Sequence, residues 1–299
     1  MRYIIRAVLF LITEVGFASS PVAMSQTTIL GVLEENPGVY YGDPNFRAVR
    51  IVFQQRGHDW QAFQSDCPDR DCGNTVDPEY PREITWTIAF DGKNVGTVTS
   101  RVPGESLPYS RGQQKIVSTG PVPTIGKRTE EFMDASVYRP LIANSQPYFS
   151  DPDNWKPFEA TERLLALLHS EFRKQFPKLC RPNRNDQSKL ELFAYPDADV
   201  RLVKIYASRT GWAVARMHLE AIDCNDVEAG FNIDDPSFAV DPQNSVKFIG
   251  SGLVLVDAGD YDHDGKSELV FAINRDNRGG YELFYDNFRK HAAFEFGHH

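Results

Sequence analysis

The chain has 299 residues, 41% of them hydrophobic and 24% charged, and a formal net charge of −9. That is the profile of a folded protein, not of a disordered one, and its length suffices for one large domain or two ordinary ones. Nothing in such a charge would neutralise a row of phosphates, so a nucleic-acid partner is excluded.

Residues 1–25 read as a signal peptide. Arg2 and Arg6 supply a positive start, residues 7–12 a short apolar core, and small residues at Ala18, Ser19 and Ser20, or at Ala23 and Ser25, a cleavage site. Glu14 interrupts the apolar run, which falls short of the roughly 20 residues a membrane helix needs. No later segment is apolar enough to span a bilayer. The expectation is an exported protein, periplasmic or secreted, with no transmembrane segment after signal cleavage.

Residues 26–157 form a first β-rich region. RAVRIVFQQRG is rich in strand-forming residues, and EITWTIAFDGKNVGTVTSR predicts a hairpin in which Trp86, Ile88 and Phe90 alternate before a turn at 91–94. Residues 101–157 are dense in proline, which predicts loops and short strands there instead of helix.

The second region, 158–299, begins with a helix. In FEATERLLALLHSEFRKQF (158–176), Leu164, Leu165, Leu168, Phe172 and Phe176 fall on one face, with Pro157 and Pro177 as punctuation. From Ser188 onward the pattern is strand after strand: KLELFAY, VRLVKIYAS, GWAVARMHLEAI, VKFIGSGLVLVDAG, SELVFAIN, GYELFYD and HAAFEF, separated by Asp, Asn, Gly and Pro. The predicted fold class is therefore β-rich, between all-β and α+β: an antiparallel meander or sandwich, or a propeller-like sheet, with one substantial helix near 158–176. No long-period repeat accompanies it, which argues against a complete propeller.

Four cysteines lie beyond the leader: Cys67, Cys72, Cys180 and Cys224. An even count in an exported chain favours two disulfides. Cys67–Cys72 with Cys180–Cys224 is the preferred connectivity, because the first pair closes the small polar loop CPDRDC. The competing reading is a four-cysteine zinc site, which usually shows two close pairs where this chain has one.

The most informative stretch is DYDHDGKSELVF, residues 260–271. It is not an EF-hand, since position 12 counted from Asp260 is Phe271 and the flanks read as strands. It fits the shorter pattern Asp-x-Asp-x-Asp-Gly-x-x-Glu. Asp260, Asp262 and Asp264 turn carboxylates inward, Gly265 permits a sharp turn that presents the carbonyl of Lys266, and Glu268 closes the shell from the next strand. Hard oxygen donors in a flexible loop suit Ca²⁺ over Zn²⁺ or Cu²⁺. Tyr261 and His263 alternate with these residues and are expected to point away.

LVLVDAGDYDHDGKSELVFA resembles one FG-GAP or VCBS-type repeat, the calcium-loop hairpin of integrin-like β-propellers, over about residues 253–287. The resemblance implies calcium ligation by Asp260, Asp262, Asp264 and Glu268 and by the Lys266 carbonyl.

No catalytic motif accompanies the loop. Gly-x-Ser-x-Gly, His-Glu-x-x-His and the phosphate-cradling glycine loop are all absent. His58 beside Asp59 would face opposite sides of a strand. FSDPDNWKP (149–157) could line a carbohydrate or peptide site, though a turn with its aromatic packed inward is the plainer reading. IDCNDVEAGFNIDDP (222–236) is acidic but lacks ligand spacing, and reads as a solvated loop. The expected function is an exported, noncatalytic binding or surface-interaction module with structural Ca²⁺ and a protein or glycan ligand. The alternative is an exported hydrolase with a calcium-stabilised fold and its site elsewhere.

Overall fold

A computed structural model describes residues 27–35, 47–63, 80–102, 112–126, 139–147, 150–183, 185–186, 189–224, 233–275 and 278–297. The expected signal segment, Cys67, Cys72 and residues 225–232 of the acidic stretch 222–236 lie outside them. The protein is β-rich, with antiparallel sheets and one α-helix among the described residues.

The N-terminal strands are β1 (Ile29–Glu35), β2 (Arg47–Arg56), β3 (Asp59–Ala62), β4 (Glu83–Phe90), β5 (Lys93–Arg101), β6 (Gln113–Ile116) and β7 (Leu141–Asn144). They run in the order β1-β7-β4-β5-β6-β2-β3, and a further β1–β2 pairing closes all but β3 into a barrel. Alternation explains why these strands carry nearly continuous apolar runs. Leu33, Ile51, Ile88 and Leu141 share a core with Trp86 and Val98 inside the barrel, while their neighbours Val32, Val52, Ala89 and Ile142 face outward into a second core. The interior also holds a satisfied polar chain: Trp86 Nε1 donates to Ser100 Oγ at 2.7 Å, and Ser100 donates to Gln114 Oε1 at 2.6 Å.

The predicted 83–101 hairpin is present. Its turn residues Asp91 and Gly92 have φ of 51° and 66°, the left-handed pair that two-residue hairpins require.

Downstream come β8 (Lys156–Pro157), α1 (Glu162–Gln175), β9 (Leu179–Pro182), β10 (Leu190–Phe193), β11 (Arg201–Ala207), β12 (Ala213–His218), β13 (Ile222–Asp223), β14 (Pro236–Val240) and β15 (Val246–Ser251). They form a small sheet, β10-β9-β13, and a five-stranded sheet, β15-β14-β12-β11-β8. The last four strands, β16 (Leu253–Gly259), β17 (Glu268–Arg275), β18 (Arg278–Tyr285) and β19 (Lys290–Gly297), make an antiparallel meander in sequence order.

This meander is buried on both faces. Val254, Val256, Val270, Tyr281 and Leu283 pack on the outside of the barrel, whereas Leu255, Leu269, Phe271 and Phe284 pack on Val214 and Ala239 of the five-stranded sheet. The far side of that sheet, with Ala215, Met217 and Phe238, takes Leu168 and Phe172 of α1. The layers therefore run barrel, meander, five-stranded sheet, helix.

Two local signals set the boundaries. VKFIGSGLVLVDAG, read above as one strand, is split at Gly252, whose φ is +66° and where a Cβ would lie 2.4 Å from the Asn274 carbonyl oxygen. The chain changes sheets there because only glycine tolerates both conditions. At α1, Thr161 is the N-cap and its Oγ1 accepts from the Leu164 N–H at 3.3 Å. Thr161→Ala is expected to lower stability by about 1 kcal/mol, read from the urea midpoint.

Cys180 and Cys224 are joined by a disulfide that ties β9 to the residue after β13. Nonreducing peptide mapping is expected to recover these two cysteines in one linked fragment. A bridge from either of them to Cys67 or Cys72 would contradict this pairing.

Candidate metal centre

The loop between β16 and β17 occupies residues 260–267 and is closed by the pairing of Gly259 with Glu268. Its acidic side chains fold back on the loop, each accepting one of the loop's backbone N–H groups. Asp262 Oδ1 accepts from Asp264 at 3.1 Å, Asp264 Oδ1 from Lys266 at 2.8 Å, and Asp260 Oδ2 from Gly265 at 3.1 Å. Glu268 Oε2 accepts from Tyr261 at 2.7 Å. Such bonds are the ordinary means by which Asp shapes a turn. Gly265 takes a φ of +85° and His263 one of +63°, so the chain bends sharply where the sequence places its glycine.

Asp260, Asp262 and Glu268 each offer a carboxylate oxygen, and those oxygens lie within 4.8 Å of one another. Asp264 is exposed and does not join this group, although it stands close enough to repel Asp260 and Asp262. Burial raises the carboxyls of Asp260 and Asp262 above their usual range and that of Glu268 well above it. Asp264 adds repulsion at the two aspartates, and Asp262 adds it at Glu268.

Asp260 Oδ1 has no hydrogen-bond partner although it is buried. A buried, unsatisfied carboxylate oxygen is costly unless a cation meets it. The three-carboxylate group could therefore hold a metal ion, and its all-oxygen donors match a hard cation.

The loop is anchored from three distant parts of the chain. Gln55 of β2 donates through Nε2 to Asp262 Oδ2 at 3.0 Å, and Asn144 of β7 donates through Nδ2 to the Tyr261 carbonyl at 3.2 Å. The Asp260 N–H donates to the Ser150 carbonyl at 2.6 Å. Ser267 donates through Oγ to Asp151 at 2.6 Å, and its N–H reaches Asp153 Oδ2 at 3.0 Å. Asp151 also caps its own turn, accepting from Asn154 and Trp155 at 2.8 and 2.7 Å.

This answers the question raised by FSDPDNWKP. Its aspartates clasp the acidic loop, and Trp155 packs in the core between the meander and the five-stranded sheet. Tyr261 does not point to solvent: it is fully buried against the barrel, while His263 is exposed. Asp59 takes Lys290 as its partner at 2.5 Å. Histidine–carboxylate contacts form elsewhere among the described residues, at His218–Asp235 and His291–Glu282, 2.7 and 2.8 Å apart, and more loosely at His169–Asp197, 3.8 Å apart.

No protein-family model matches this chain, and no curated protein or solved structure does.

Proposed function

We propose that this protein is an exported, noncatalytic binding or surface-interaction module in which one Ca²⁺, held by the loop 260–268, is a structural ion. The observation that carries this reading is the buried, partnerless Asp260 Oδ1 within reach of Asp262 and Glu268. Asp264 and the Lys266 carbonyl complete the shell in this reading. Six to eight oxygens are usual for Ca²⁺, so waters fill the remainder.

The anchors support a structural role for the ion. Removing carboxylate repulsion fixes a loop bonded at once to Gln55 and Asn144 of the barrel and to the 150–153 segment, so binding energy becomes folding energy at the joint between barrel and meander. A shell saturated by oxygen leaves little Lewis acidity for a substrate. The likeness of residues 253–287 to an FG-GAP or VCBS-type hairpin belongs to the same reading, supported by the β16–β17 hairpin around the loop. The Cys180–Cys224 disulfide and the absence, among the described residues, of a helix able to cross a membrane accord with export.

The test is isothermal titration of the chelated protein with Ca²⁺ and Mg²⁺. One Ca²⁺ per chain, lost in Asp260→Asn and in Glu268→Gln, is the expected result. Undiminished binding in both variants would place the ion elsewhere.

A further inference from the structure

We propose that Asp257 is a proton-operated latch between the barrel and the C-terminal meander: neutral, it holds the tip of the β4–β5 hairpin on the bulge of β16, and ionised, it favours release of that tip. The placement is unusual for a carboxyl. Asp257 sits in the middle of a strand, just after the bulge in β16, and is 7% exposed. Its Oδ1 accepts the Asp91 N–H at 3.0 Å, whereas its Oδ2 is buried without a partner.

The Asp91 N–H is at the first position of a two-residue turn, where the hairpin ladder supplies no acceptor. Asp257 thus satisfies a donor that the barrel leaves open. Beside it, Arg139 donates to the Val256 carbonyl at 3.3 Å and stacks on Phe90, at the end of the same hairpin.

The groups facing Asp257 do not all favour its charge. Asp91, on the hairpin tip, repels it; Arg139, leading into β7, attracts it; Tyr261, on the acidic loop, is buried close by. Burial outweighs the help it receives from the Asp91 N–H, from the Ala258 N–H on its own strand and from Arg139, and lifts its carboxyl from an ordinary 3.8 to about 7. Lifting the tip off would return the group to water and to its ordinary range.

The sign follows. The proton's contribution to closure is present in full below the ordinary value, is eroded as the pH climbs, and is gone once the pH has passed through about 7. Acid closes the latch. The tip also walls in the clasp, since a Cβ on Gly92 would lie 2.9 Å from the Cβ of Asp151.

The experiment is amide hydrogen exchange on the full chain in saturating calcium, between about pH 5 and pH 8, with each rate divided by its intrinsic value. Protection of the Asp91 amide is expected to fall about tenfold or more across that range and then level off, while the β4 amides of Trp86 and Ile88 keep theirs. Asp257→Asn keeps the acceptor but cannot ionise, and is expected to abolish the fall. Constant protection at Asp91 in the wild type would overturn the latch, as would an equal fall in the Asn variant. Should that variant not fold, the wild type decides: a fall confined to the tip supports the latch, and one shared with β4 overturns it.

Discussion

Calcium in hundredfold excess over its dissociation constant is expected to stabilise the chain by about 2.7 kcal/mol. For a protein of this size that corresponds to a rise of roughly 5–10 °C in unfolding temperature. Asp260→Asn should lose most of that rise. The diagnostic feature is a crossing: in chelator the variant is expected to unfold at the same temperature as the wild type or higher, because it relieves a buried carboxylate that no cation meets and whose Oδ1 has no hydrogen-bond partner. A substitution that merely damaged the fold would lower both curves. The pH dependence sharpens the test. Asp260, Asp262 and Glu268 have raised carboxyls in the metal-free protein, so their protonated forms stabilise it below the ordinary carboxylate range and that stability is lost as the pH rises. Calcium needs the ionised forms. The calcium-induced increment should therefore grow with pH, and an increment that shrank or stayed flat would contradict ligation by these residues.

The acidic loop was legible in the sequence because its pattern is local: alternate aspartates, then glycine, then a glutamate opening a strand, all within nine residues of chain from Asp260 to Glu268. What holds the loop is not local. Gln55, Asn144, Asp151 and Asp153 reach it from more than a hundred residues away, and no spacing rule connects them to it. The string at 149–157 did carry a signal, since its aspartates and Trp155 stood out, but the same composition suits a turn, a ligand site and a clasp. Barrel closure was hidden for a related reason. RAVRIVF is buried on both faces, so its apolar run lacks the alternation that marks a strand with one wet side. The break at Gly252 was hidden because one glycine inside a β-rich run carries no sign of a change of sheet until the sheet on each side is known.

The second large effect is expected at the opposite side of the same joint. Glu34 of β1 and Arg50 of β2 are a buried ion pair, Nε to Oε1 at 2.7 Å, with side chains 8% and 4% exposed. Tyr281 of β18 donates to the same Oε1 and Gln113 of β6 to Oε2, both at 2.7 Å. The Arg50 guanidinium lies 4.1 Å from the ring centroid of Phe296 on β19. Barrel and meander thus meet over one fully bonded carboxylate. Burial pushes the Glu34 carboxyl up, but Arg50 and the hydrogen bonds from Arg50, Gln113 and Tyr281 together hold it below its usual range. Arg50→Met keeps an unbranched apolar stem and removes the guanidinium and its charge. It is expected to lower stability by about 3–5 kcal/mol and the unfolding temperature by roughly 6–20 °C, because Glu34 stays buried with only neutral donors. A depressed carboxyl contributes stability above its ordinary value and loses it as the pH falls through the folded one. In the wild type this contribution is therefore intact at neutral pH. In Arg50→Met burial is opposed only by Gln113 and Tyr281, so Glu34 should take up a proton on mild acidification, and the deficit should shrink as the pH falls. Glu34→Gln alone should cost less, and the pair Glu34→Gln with Arg50→Met less than the sum of the two. Strict additivity in that cycle would mean that the charges do not feel one another, and that this part of the joint is held by the surrounding contacts instead.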